Sequence, residues 1–162
     1  MNQLLRYTPT IVSGGQTGVD RAALDAARYL DIPHGGWCPL GRRAEDGVIP
    51  DRYQLQETES AAYSERTLAN VLAADLTLVL SDGPLHGGTK LTANLAEQHG
   101  REFLLADLSA GDDPQAHVTI GEWLLSNHPE VVNVAGPRES GRPGSYVRAC
   151  CFLMALFRQL LD

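Results

Sequence analysis

The stretch Thr10–Val12 is short and apolar, and it does not alternate with polar residues. Leu76–Leu80, Phe103–Ala106 and Val131–Val134 share that character. Short unbroken runs rich in β-branched residues suit strands covered on both faces, as in a parallel sheet. A weaker run, Tyr53–Leu55, is a further strand candidate. Helical spacing fills the intervals. Val19, Ala23, Ala26, Ala27 and Leu30 recur at such spacing, and the alanines would let that helix lie close to the sheet. Ser64–Ala74, Thr89–His99 and Pro114–Ser126 read as further helices. In Ser145–Leu161, the residues Val147, Cys150, Cys151, Met154, Phe157 and Leu161 form one apolar face. Strands alternating with helices predict βα units and right-handed crossovers. The expected class is α/β, a Rossmann-like parallel sheet with helices on both faces. A length of 162 residues fits one domain spanning 1–162. No repeat or linker-like tract interrupts it. The polar stretch Ser109–Pro114 reads as a surface turn leading to a helix cap at Asp112 or Asp113.

Charge and composition narrow the function classes. Hydrophobic residues make up 43% and charged residues 20%, which predicts an ordinary packed core. A net charge of −7 argues against nucleic-acid binding through a basic face. No apolar run reaches the roughly 20 residues that cross a bilayer, and the first residues show no signal-peptide pattern. The cysteines are Cys38, Cys150 and Cys151. An odd count with two adjacent points to a reducing cytoplasm rather than a disulfide framework. Cys150 and Cys151 are expected in the core. Cys38, in GGWCPLG, is read as a buried thiol or one facing a ligand. There is no CxxC pair, and His34, His86, His99, His117 and His128 lack metal-ligand spacing, so no metal site is expected and these histidines read as structural or surface residues.

Glycine distribution carries the functional signal. Four loops, Ser13–Arg21, Gly35–Gly47, Ser81–Lys90 and Ala135–Ser145, hold 13 of the 16 glycines. They also hold Arg21, Arg42, Arg43, Lys90, Arg138 and Arg142, six of the 13 basic residues. Three of the four follow a strand and precede a helix. In an open parallel sheet such loops gather at the carboxyl edge, where ligands bind. Glycine admits close backbone approach, helix N-termini favour negative charge, and Arg grips phosphate bidentately. An acidic protein with one basic site suits a small anionic ligand. Plain turn formation is the competing reading for the glycines. For Arg138 it is an ion pair with Glu139 or Glu45 that holds its loop. Two common signatures are absent. GGQTG is not GxGxxG and has no acid about 20 residues on, and GPLHGGTK orders Thr and Lys wrongly for a Walker A loop.

The blocks SGGQTGVDRAALDAA, GGWCPLGRRAEDGVIPDRYQL, YSERTLANV with ADLTLVL, GGTKLTANLA and NVAGPRESGRPGSY resemble, in order, those of the molybdenum cofactor carrier proteins. That family is a branch of the Rossmann-like superfamily that includes the LOG-type, lysine-decarboxylase-like proteins. The resemblance runs from about Ile11 to Tyr146. It implies a cytoplasmic homo-oligomer carrying molybdenum cofactor (molybdopterin) or a related phosphate-bearing compound, with molybdoenzymes as possible acceptors. By position it puts Gly14, Gly15, Gln16, Thr17 and Gly18 beside the ligand, with Arg21 in the same loop. It adds Gly87, Gly88 and Thr89 at a helix start, and Arg138 and Glu139 from PRESGRPG.

LOG-type phosphoribohydrolases follow the GGxGT turn with glutamates that act on the ribosyl bond. Here Lys90, Leu91 and Thr92 follow Thr89, and Glu97 stands two helical turns along. Binding is therefore favoured over catalysis, and no catalytic residue is assigned. The alternatives are a nucleotide or nucleoside-phosphate hydrolase using Asp20, Glu45 or Asp46, and a nucleotide-sensing module. Asp20 also suits simple charge complementarity at a helix N-terminus.

Overall fold

The computed structural model describes residues 7–108 and 114–162; the turn expected before Pro114, with its cap at Asp112 or Asp113, lies outside them. The strands are β1 (Thr10–Val12), β2 (His34–Gly35), β3 (Trp37–Cys38), β4 (Arg43–Ala44), β5 (Gly47–Val48), β6 (Gln56–Glu57), β7 (Leu76–Ser81), β8 (Glu102–Asp107) and β9 (Val131–Ala135). The helices are α1 (Val19–Tyr29), α2 (Tyr63–Ala73), α3 (Gly87–Gln98), α4 (Pro114–Asn127) and α5 (Ser145–Leu161).

Among the described residues the main sheet is five-stranded, ordered β2-β1-β9-β7-β8, with every pairing parallel. β7 is buried at all six positions, which explains its unbroken apolar run. α1 and α4 both pack on α5, while α2 packs on α3, so helices cover both faces. The expected Rossmann-like α/β class is observed. Ala22, Ala23, Ala26 and Ala27 are buried in the main core with Leu153, Leu156 and Leu160 of α5. No described helix is long and apolar enough to cross a membrane.

Two expectations are corrected, and the sheet gains a strand that the apolar pattern does not predict. Tyr53–Leu55 is not a strand: Tyr53 is buried in a second small core with Leu24, Cys38, Ala44 and Ile49, and pairing begins at Gln56. The edge strand β2 carries no apolar run and pairs with β1 through its backbone. On α5 Phe157 is buried as expected, but the rest of the buried stripe is Ala149, Leu153, Leu156 and Leu160, whereas Val147 and Cys151 are exposed. Cys151 is thus no core residue, and Cys150 is half-buried.

The chain order reverses at the centre of the sheet. From β1 it steps outward to β2, from β7 outward to β8, and β9 fills the gap between. Such a switch point opens a crevice beyond the carboxyl ends of the strands.

Candidate functional site

A cavity of about 460 Å³ occupies that crevice, within the ~300–1,000 Å³ usual for small-molecule sites. Its wall takes Gly14, Gln16 and Asp20 after β1, His86 to Thr89 at the start of α3, Asn133 to Ala135 of β9, and Gly136 to Arg138 with Gly141 after it. α2 completes it with Tyr63, Ser64, Arg66, Thr67 and Asn70. The glycine-rich loop Gly35–Gly47 supplies none of the wall; it folds into β2 to β5.

Of the residues expected at a ligand, Gly14, Gln16, Gly87, Gly88, Thr89 and Arg138 meet on this wall. Gly15, Thr17, Gly18, Arg21 and Glu139 do not line it, and each makes a contact elsewhere in the protein. Arg21 forks onto Asp46, with Nη1–Oδ2 at 2.5 Å and Nη2–Oδ1 at 2.7 Å, and its Nε donates to the Gly15 carbonyl at 3.0 Å. Glu139 caps α5, accepting the Gly144 N–H at 2.6 Å and the Tyr146 N–H at 2.9 Å. Thr17 donates its hydroxyl to Glu45 and accepts the Glu139 N–H at 3.2 Å. Gly18 has φ +79°, and its backbone lies against Pro137.

The amides of the GGQTG turn are partly spent within the protein. The Gln16 N–H goes to the Asp20 carboxylate at 3.2 Å and the Thr17 N–H to the Gln16 side chain at 3.0 Å. The Val19 N–H goes to the Pro137 carbonyl at 3.2 Å. α3 differs. His86 precedes it in extended conformation, no side chain caps it, and no acid stands in its first turn. The first N–H groups of a helix have no intrahelical partner, so Gly87, Gly88 and Thr89 present donors to the cavity. Around that end stand Arg138, whose Nε is 3.5 Å from Glu45, and Arg142, whose Nη2 is 3.2 Å from His86 Nε2. His86 is exposed, as expected of a surface residue, and it also lines the cavity.

Arg66 is the residue that reading the loops missed. It is 8% exposed, its Nη1 donates to the Gly14 carbonyl at 2.9 Å, and the same nitrogen is 3.7 Å from Asp20 Oδ2. A Cβ on Gly14 would stand 2.5 Å from Arg66 Cδ. Gly14 therefore makes room for an arginine as well as for any ligand. Burial pushes the Asp20 carboxyl above the usual range, opposed by the Arg66 charge and by the hydrogen bond from the Gln16 N–H. Of the acids considered for hydrolysis, Asp20 lines the cavity; Glu45 is engaged by Thr17, Ser140 and Arg138, and Asp46 by Arg21. Cys38 is fully buried away from the wall, and burial pushes its thiol up.

Residues 11–157 match the model of the circularly permutated YpsA SLOG family. The chain belongs to this family. A crystal structure of a protein from Syntrophus aciditrophicus SB, provisionally named a molybdenum carrier protein, is similar to this SLOG chain at 45% identity with a TM-score of 0.88. The match covers 94% of this chain and 96% of that one. No curated protein shows significant similarity. The resemblance carried by the sequence blocks is borne out by both matches, and the five-stranded parallel sheet accords with this SLOG membership.

Proposed function

We propose that this protein binds and carries a small phosphate-bearing molecule, molybdenum cofactor or a related compound, in the cavity at the carboxyl edge of the sheet. The observation that carries the reading is the uncapped start of α3, whose Gly87–Thr89 residues line the cavity with no acid in the first turn. A phosphate there would accept the free amides and meet the helix dipole. Arg138 and Arg142 would add charge-assisted contacts. The name of the Syntrophus relative supports a molybdenum-related cargo. The buried polar groups of the wall, Arg66, Asp20 and Thr89, suit the hydrogen-bonding ring that molybdopterin bears beside its phosphate.

Binding is favoured over hydrolysis because Glu45 and Asp46, two of the three acids that could serve it, are held in ion pairs and do not line the cavity. The cytoplasm, a homo-oligomeric state and transfer to molybdoenzymes complete the proposal. Mass spectrometry of small molecules released from the natively purified protein tests it, with molybdenum measured on the same sample. A pterin phosphate or its oxidation product is expected. A released ligand without phosphate would overturn the reading.

A further inference from the structure

Arg66 and Asp20 are both 8% exposed and both line the cavity, yet neither spends its hydrogen-bonding capacity. Their closest approach, 3.7 Å, is longer than an N–H···O bond. Arg66 offers five N–H donors, and among the described residues its hydrogen bond is the one to Gly14. Asp20 accepts the Gln16 N–H, while the Ser13 hydroxyl beside it donates to the Val134 carbonyl, whereas a carboxylate has about four acceptor sites. A buried pair at this distance offsets its own desolvation poorly. The pair is therefore better satisfied by a ligand than by itself.

Beside it, the Tyr63 ring lines the same cavity, with the Arg66 guanidinium 5.4 Å from its centroid. Arg43 lies closer to the same ring, at 4.5 Å, and Tyr63 helps to hold the Arg66 guanidinium at the wall through cation–π contact.

Resting on the reading that the cavity holds a phosphate-bearing small molecule, we propose that Arg66 and Asp20 read the ring of that ligand. Arg66 donates to a ring carbonyl, and Asp20 accepts the neighbouring ring N–H and amino group. The site then selects rings with a 2-amino-4-oxo pyrimidine edge, as in guanine and pterin. An adenine edge, with an amino group where the carbonyl would be, puts donor against donor at Arg66 and offers Asp20 no pair of N–H groups. Donors from the correct ring also stabilise the charged form of Asp20, which burial disfavours.

Calorimetric titration of the wild-type protein with GMP, IMP and AMP decides the matter, because the three share ribose and phosphate and differ in the ring edge. GMP should bind about ten- to a hundredfold more tightly than AMP, the effect of one or two hydrogen bonds to charged groups. IMP, which lacks the 2-amino group, should fall between. Asp20→Asn, checked for an intact melting transition, should narrow the GMP-to-AMP ratio. Equal affinities across the wild-type panel, or a preference for AMP, overturn this inference and leave the phosphate site standing. A GMP preference that persists in a folded Asp20→Asn protein overturns the role of Asp20. Failure of all three nucleotides to bind overturns the phosphate site as well.

Discussion

Gly18 and Pro137 meet backbone to backbone. The Pro137 carbonyl accepts the Val19 N–H at 3.2 Å, and a Cβ on Gly18 would come within 2.4 Å of that same oxygen. The glycine closes the first turn of α1 onto the loop after β9, and its φ of +79° is one that side chains rarely adopt. Read from sequence alone, Gly18 belongs to an anion seat, so that replacing it would cost binding and spare the fold. The contact with Pro137 adds a cost to the fold. Gly18→Ala should lower stability by at least about 2 kcal/mol through backbone strain and crowding together, read as a drop in the urea midpoint. An unchanged midpoint would refute this packing role.

Arg138 stands at the cavity with its Nε 3.5 Å from Glu45 and its side chain 54% exposed. As a phosphate contact it should contribute about 1.5 kcal/mol, the low end for a charge-assisted bond at such exposure, or roughly a tenfold change in affinity. Arg138→Ala should show that loss in titrations with molybdopterin or a phosphate analogue. Arg138→Lys should recover part of it, since an ammonium lacks the bidentate fork. Identical affinities for all three proteins would leave Arg138 as a loop tie to Glu45 and nothing more.

Glu45 fastens three segments, accepting from Thr17 after β1 and from Ser140 after β9 while sitting in the β4–β5 turn. Desolvation pushes its carboxyl up, but the bonds from Ser140 and Thr17 and the Arg138 charge outweigh it and hold it below the ordinary 4.5. A carboxyl lowered by folding contributes stability that is present above its unfolded value and lost as pH falls through the folded one. Wild type should therefore exceed Glu45→Gln in stability near pH 7, with the gap closing below about pH 4. A stability difference independent of pH between 7 and 3 would contradict the clasp.

The three thiols differ in access: Cys151 is exposed, Cys150 half-buried and Cys38 buried. Burial also raises the Cys38 thiol, so little of it is thiolate. Iodoacetamide should label Cys151 first and Cys38 only on unfolding, as followed by peptide mass spectrometry. Labelling of Cys38 in the native protein at the rate of Cys151 would disprove the buried placement.

Strands covered on both faces were the most legible part of the fold, since β7 and β9 need apolar side chains in both directions. β2 was not legible. His34 and Gly35 pair with β1 through backbone groups that any residue supplies. α5 misled for the opposite reason. It is apolar nearly all round, so periodicity alone cannot choose between the Leu153–Leu156–Leu160 stripe that is buried and the Val147–Cys151 stripe that is not. At the site, glycines marked the right region because α3 and the loop after β9 do bring backbone to the cavity. Arg66 escaped notice because a charged residue inside a helix reads as a solvated face, and what buries it is the missing Cβ of Gly14, 52 positions away.

The strand at the middle of the sheet is the last to be made. Until β9 arrives, β2-β1 and β7-β8 are two ribbons that share no hydrogen-bonded edge, because β9 is what each of them pairs with across the centre. During synthesis, most of the chain must therefore leave the ribosome before either ribbon can lose its open flank. Shortening the chain ahead of Val131 would leave both flanks free to pair with other molecules. The cavity wall needs β9 and the loop behind it as well, so binding competence and closure of the sheet are reached in one late step.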